Sequence, residues 1–131
     1  MRYALDADVL IGGLDGNDAH HQAARELLTD WHAHQDTVLI SVVNLSEVLV
    51  APADDEHRLR TARSAIAALG VSIHRPTEAI AVDAARIRSR HPISLPDAYL
   101  LATARHLGAT VASFDAKIAR AAKAERIAIH S

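Results

Sequence analysis

The stretch Ile93 to Asp115, ISLPDAYLLATARHLGATVASFD, most constrains the fold this chain can adopt. Ser94 stands three residues before Asp97, with Pro96 between them and the apolar positions Tyr99, Leu100, Leu101, Ala104 and Leu107 following at helical spacing. That pattern predicts a helix opened by a capping box. Gly108 ends it, because glycine alone enters the left-handed exit conformation without penalty. Thr110 to Phe114 is β-branched and apolar enough for a short buried strand, and Asp115 stands where it hands over to a helix from Ala116 to about Ala124. Helix, buried strand and helix in so few residues predict a parallel α/β unit, whose ligand site lies beyond the carboxyl ends of the strands. Asp97 and Asp115 are also good helix-start residues, each worth about 1 kcal/mol as a cap or dipole partner, so neither alone argues for chemistry.

The chain has 131 residues, half of them apolar, which predicts one globular domain spanning 1–131. With no cysteine, disulfides and thiolate metal sites are excluded, and a reducing, cytoplasmic setting is expected. The N-terminal apolar run carries acids, unlike a signal peptide, and no run approaches a membrane span in length. A net charge of −2 with only two lysines, Lys117 and Lys123, gives no global attraction to a polyanion. Nucleic acid would have to be held by local arginines or through a cation. Arg58, Arg60 and Arg63 form one arginine cluster and Arg86, Arg88 and Arg90 another, each also readable as a solvated helix face.

Tyr3 to Leu5 reads as the first strand, with Asp6 at its carboxyl end, and Asp8 as the cap of a short helical turn from Val9 or a further candidate ligand. Gly12, Gly13, Gly16 and Asn17 mark a loop without phosphate-cradling spacing. A helix is expected from Asp18 to about His34, decorated by His20, His21, His32 and His34, which lack the i, i+4 zinc arrangement; His20 or His21 remains a candidate neighbour of the strand ends. Thr37 to Val43 predicts the second strand and Asn44 to Val50 an apolar helix, in which Glu47 shares a face with Val43 and Val50 that wants to be buried. Asp54, Asp55 and Glu56 open a long helix to Leu69, Val71 to His74 gives a third strand, and Thr77 to Arg90 another helix carrying Ile80, Ala84 and Ile87 inward. Ile127 to Ile129 is the closing strand.

If the sheet is parallel, Asp6, Glu47, Asp97 and Asp115 converge on one edge of it. Two carboxylates about 4 Å apart repel by roughly 4 kcal/mol at an effective dielectric of about 20, so such a group demands protons or a cation. Oxygen-only donors favour Mg²⁺ or Mn²⁺, and phosphate-ester chemistry is the foremost use of such an ion.

The segments LDADVLI, SEVLV, PDAYLLATARHLGA and VASFD resemble the four acidic motifs of PIN domains, and the short single-domain form is similar to the VapC toxins of bacterial toxin–antitoxin pairs. The resemblance implies a short parallel β-sheet sandwiched between α-helices. It implies Mg²⁺- or Mn²⁺-dependent endoribonuclease activity on tRNA or ribosomal RNA, with Asp6, Glu47, Asp97 and Asp115 as the metal-binding acids and Ser113 supporting them by hydrogen bonding. It further implies a small inhibitory antitoxin of VapB type and a homodimer; no membrane association is expected, from the lack of a membrane-length apolar run. Relatives often carry Asn or Ser in place of Asp8, and an aromatic residue in place of Ile118. Two other readings compete: a catalytically silent PIN-like module that binds RNA or protein, and a small phosphatase using Asp6 and Asp8. For the phosphatase, neither lysine stands in a plausible setting.

Overall fold

A computed structural model describes residues 1–130. Four parallel strands form one sheet: β1 (Arg2–Leu5), β2 (Thr37–Ser41), β3 (Ser72–His74) and β4 (Thr110–Ala112), in the order β3-β2-β1-β4. Between and after them run α1 (Ala7–Leu14), α2 (His21–Ala33), α3 (Val42–Leu49), α4 (Glu56–Ala68), α5 (Glu78–Arg90), α6 (Leu95–Leu107) and α7 (Ala116–Ala124).

Strand alternation builds two cores, one on each face of the sheet. Ala4, Leu39 and Val111 point to the face covered by α5, α6 and α7, where Ile80, Ala84, Ile87, Leu101 and Ile118 fill the space. Tyr3, Leu5, Val38, Ile40 and Ala112 point to the other, against Val9 and Leu10 of α1, Ala24, Leu28 and Trp31 of α2 and Ile66 of α4. The expected α/β architecture, a parallel sheet between helical layers, is the one observed.

The element boundaries differ from expectation in instructive ways. β2 ends at Ser41, two residues early, because the Ser41 hydroxyl accepts from Val43 N–H at 3.2 Å and starts α3 at once. β4 ends at Ala112, since Ser113 and Phe114 turn toward side-chain partners on α1 and at the end of β1. Gly12 and Gly13 are not loop residues but the buried last turns of α1. A Cβ on Gly12 would lie 3.2 Å from Ala24 Cβ and one on Gly13 2.7 Å from Leu28 Cδ1, so the glycines allow α1 and α2 to approach closely. The closing segment makes one parallel bridge, Val111 with Ile129, rather than a full strand. Ser94 and Asp97 form the predicted capping box, and Gly108 ends α6 at φ 61°.

Candidate functional site

β1 and β4 run parallel and adjacent, so their carboxyl ends meet at one edge of the sheet. Asp6 leaves β1 there and occupies the cap position of α1, yet its carboxylate makes no capping bond. Its backbone N–H instead donates to Ala112 O at 2.9 Å, and its Oδ2 accepts from Ser113 Oγ at 2.6 Å. The residue is 6% exposed. Burial pushes the Asp6 carboxyl up to about 7; the charge of Asp8 adds to this, the Ser113 hydrogen bond opposes it, and the charge of Asp97 adds again.

Asp8 does not cap a turn from Val9: α1 begins at Ala7, which places Asp8 in the first turn. Its Oδ2 accepts from Phe114 N–H at 3.0 Å, fastening the loop after β4 to α1. Its Oδ1 is buried without a partner among the described residues. Burial raises the Asp8 carboxyl as well, with Asp115 contributing repulsion.

Asp97 and Asp115 each hold a helix start. Asp97 N–H donates to Ser94 Oγ at 3.2 Å and Asp97 Oδ2 accepts from Ser94 N–H at 3.4 Å. Asp115 caps α7 by accepting from Lys117 N–H at 2.8 Å, and its own N–H donates to Ser113 Oγ at 3.0 Å. The bland capping roles of both residues are real, and both carboxylates are also near enough to perturb Asp6 or Asp8.

Glu47 is half-buried on α3. The face it was expected to share with Val43 and Val50 is not the buried one: Val50 is 72% exposed, and α3 buries Asn44 and Val48 instead. Glu47 is tied to the site through Asn44, a residue that pattern reading passed over. Asn44 is fully buried and its Nδ2 donates to Glu47 Oε1 at 3.3 Å and to Pro96 O at 3.0 Å, bridging α3 to the first turn of α6. The detectable signal was a buried-helix asparagine three residues before the acid.

Of the histidines, His21 Nδ1 lies 2.7 Å from Gly12 O, and His20 stacks on Phe114 beside the site. His32 and His34 are exposed.

The edge therefore gathers Asp6, Asp8, Asp97 and Asp115 into one electrostatically coupled group, with Glu47 attached through Asn44. Among the described residues, no three His, Cys, Asp or Glu side chains stand close enough to close a metal cage. The chemistry of the set fits a hard cation nonetheless: all donors are oxygen, Asp6 is buried with its charge opposed by its neighbours, and Asp8 Oδ1 has no partner. Mg²⁺ in particular keeps several waters and needs only one or two carboxylates.

The PIN domain family model matches residues 3–124. Among solved structures, the Mycobacterium tuberculosis toxin VapC20, described as cleaving the sarcin–ricin loop, is 20% identical, with a TM-score of 0.74 over 91% of this chain and 94% of that one. Rickettsia felis VapBC2, bound to a fragment of promoter DNA, aligns with a TM-score of 0.76 at 15% identity, covering 99% of this chain and 98% of that one. A toxin–antitoxin complex from Klebsiella pneumoniae is 25% identical, with a TM-score of 0.70 and 86% of each chain covered. No curated protein sequence matches the chain. With the sheet order, the acids at its carboxyl edge and a family model spanning nearly the full length all in agreement, this chain belongs to the PIN domain family.

Proposed function

We propose that this protein is a divalent-metal-dependent endoribonuclease acting as the toxin of a toxin–antitoxin pair. The observation that carries the reading is Asp6: a buried carboxylate at the sheet edge, raised to about 7 by burial and by neighbouring acids, and clamped by Ser113. A carboxylate so placed is costly to ionise without a cation. Membership of the PIN family supports nuclease chemistry at the general level. The likeness to a sarcin–ricin-loop-cleaving toxin and to toxin–antitoxin complexes supports RNA as substrate and a small inhibitory protein as partner.

In this reading Asp6, Glu47, Asp97 and Asp115 would hold Mg²⁺ or Mn²⁺, with Asp8 as a further candidate ligand. When bound, the ion would supply an activated water and charge neutralisation for phosphodiester hydrolysis. The protein's own contribution is positional. Ser113 orients the Asp6 carboxylate and, by accepting from Asp115 N–H, sets the turn that presents Asp115. Asp8 anchors that same turn from α1. Asn44 holds Glu47 against the start of α6, next to Asp97. An inhibitory antitoxin, a homodimer and a cytoplasmic setting complete the proposal. No helix among the described residues is long and apolar enough to cross a membrane.

A second reading has its own observation. Asp97 and Asp115 already satisfy helix ends, which a catalytically silent RNA- or protein-binding module would retain without cutting. Incubating the purified protein with a mixed RNA pool separates the two. Fragments that need Mg²⁺ or Mn²⁺, vanish with EDTA and vanish with Asp97→Ala support the nuclease, whereas tight RNA binding without fragments supports the silent module.

A further inference from the structure

His20, exposed just before α2, lays its ring flat on Phe114, with centroids 4.3 Å apart and planes 11° from parallel. Phe114 lies between Ser113, which donates to Asp6, and Asp115, and its own N–H donates to Asp8. The pair therefore sits directly on the loop that builds the acidic edge. The chain has only four Phe, Tyr and Trp residues. Tyr3 and Trp31 stack on each other in the core at 4.2 Å, and Tyr99 packs against the core under α6; Phe114, itself half-buried against the core on the other face of the sheet, carries the aromatic stack on the loop of Ser113 and Asp115. As a structural clamp the choice is a poor one, because an exposed polar imidazole removes little apolar surface from water compared with a leucine.

On the other side of the same loop, α7 begins immediately after Asp115. It buries Ile118, Ala121 and Ala122 and exposes Lys117, Arg120 and Lys123, including both lysines of the chain. None of the three is in an ion pair among the described residues, whereas Arg90 and Arg105 are committed to Glu125. They recur every three residues along about 9 Å of helix, so the basic face starts at the acids and leads away from them.

An aromatic stacking surface combined with a basic track is the arrangement that holds single-stranded nucleic acid, since an unpaired base offers a free face and its backbone seeks cations. We propose that the His20–Phe114 pair is a stacking platform for an unpaired RNA base next to the cleavage point, with the flanking phosphates on Lys117, Arg120 and Lys123. This rests on the ribonuclease reading and assigns the holding of its RNA strand to His20, Phe114 and the cations of α7. His20 and Phe114 act on binding and position the strand.

The test is fluorescence anisotropy in EDTA, so that nothing is cut, with a labelled random-sequence single-stranded oligoribonucleotide and a duplex of the same length. The single strand is expected to bind more tightly. His20→Ala and Phe114→Leu should each weaken it by about tenfold, the scale of one lost stacking contact, while His20→Phe restores binding. Lys117→Gln should lower the salt dependence by about 0.7 in the logarithmic slope, the value for one phosphate contact on a single strand. Unchanged binding in His20→Ala at an unchanged melting temperature, failure of His20→Phe to restore binding, or preference for the duplex would overturn the platform. Cleavage with Mn²⁺ by the wild type, run in parallel, keeps the two readings apart: if it persists, only the platform falls, and if the wild type neither binds nor cuts RNA, both fall.

Discussion

Ser113 Oγ donates to Asp6 Oδ2 at 2.6 Å, joining the residue after β4 to the residue after β1 across 107 positions of sequence. The same hydroxyl oxygen accepts from Asp115 N–H at 3.0 Å, so one serine sets two acids of the candidate site.

Removing that hydroxyl has a signed consequence. The Ser113 hydrogen bond lowers the Asp6 carboxyl against the upward push of burial, so Ser113→Ala moves it further up. Carbon-detected NMR titration of the metal-free protein is expected to show Asp6 titrating at higher pH in the variant, with about 1 kcal/mol lost from global stability. An Asp6 titration that stays put or moves down contradicts the assignment of this bond.

Asp6 makes the metal-free protein less stable as pH rises. Its carboxyl is raised from 3.8 to about 7 on folding, so its favourable contribution is fully present below about pH 4 and is lost as pH rises through 7. Asp6→Asn removes the Asp6 share of this dependence, leaving that of Asp8, and raises the melting temperature of the metal-free protein at pH 8. Mn²⁺ stabilises the wild type most at that pH, and stabilises the variant far less. Thermal melts across pH, with and without Mn²⁺, check all three statements.

Asn44 is fully buried and serves Glu47 and Pro96 with one amide group. Asn44→Leu strips both acceptors of their donor and is expected to cost about 1–3 kcal/mol, read as a shifted urea midpoint. Mn²⁺ affinity, measured by calorimetry, should fall as Glu47 loses its support. Loss of stability with affinity intact would confine Asn44 to a packing role.

Glu125 stands at the C-terminal end of α7, the helix that Asp115 opens. Its carboxylate accepts from Arg90 at 2.8 and 2.9 Å and from Arg105 at 2.7 Å, and His91 Nε2 lies 2.6 Å from it. The Arg90 hydrogen bonds, followed by those of Arg105 and His91, hold the Glu125 carboxyl well below the ordinary carboxylate range despite partial burial. The stability it contributes is present above about pH 4 and lost as pH falls further. Glu125→Gln should lower the melting temperature at pH 7 and flatten the acid limb of the stability curve, without changing RNA cleavage.

Much of this was legible from one segment. Ser94, Asp97 and Gly108 wrote the ends of α6 into the sequence because caps and left-handed exits are local chemistry. The acids after β1 and β4 could be placed at one edge because parallel strands align their carboxyl ends. Tertiary relationships were harder to read. Gly12 and Gly13 looked like loop residues, since nothing local reveals that α2 packs within van der Waals reach of them. Asp8 looked like a cap, because its true partner, Phe114 N–H, is 106 residues away. The face of Glu47 is not legible because α3 buries polar Asn44 while apolar Val50, just past its end, is exposed, the reverse of what hydrophobic periodicity assumes.

The most direct test of the nuclease account is the rate of RNA cleavage as a function of Mn²⁺ concentration for the wild type and Asp6→Asn, with EDTA as the zero point. Saturable, metal-dependent cutting by the wild type is expected, with a loss of at least about a hundredfold in the variant, the scale of a displaced metal or general-base ligand. Cutting that survives EDTA, or that proceeds equally well in Asp6→Asn, would contradict it.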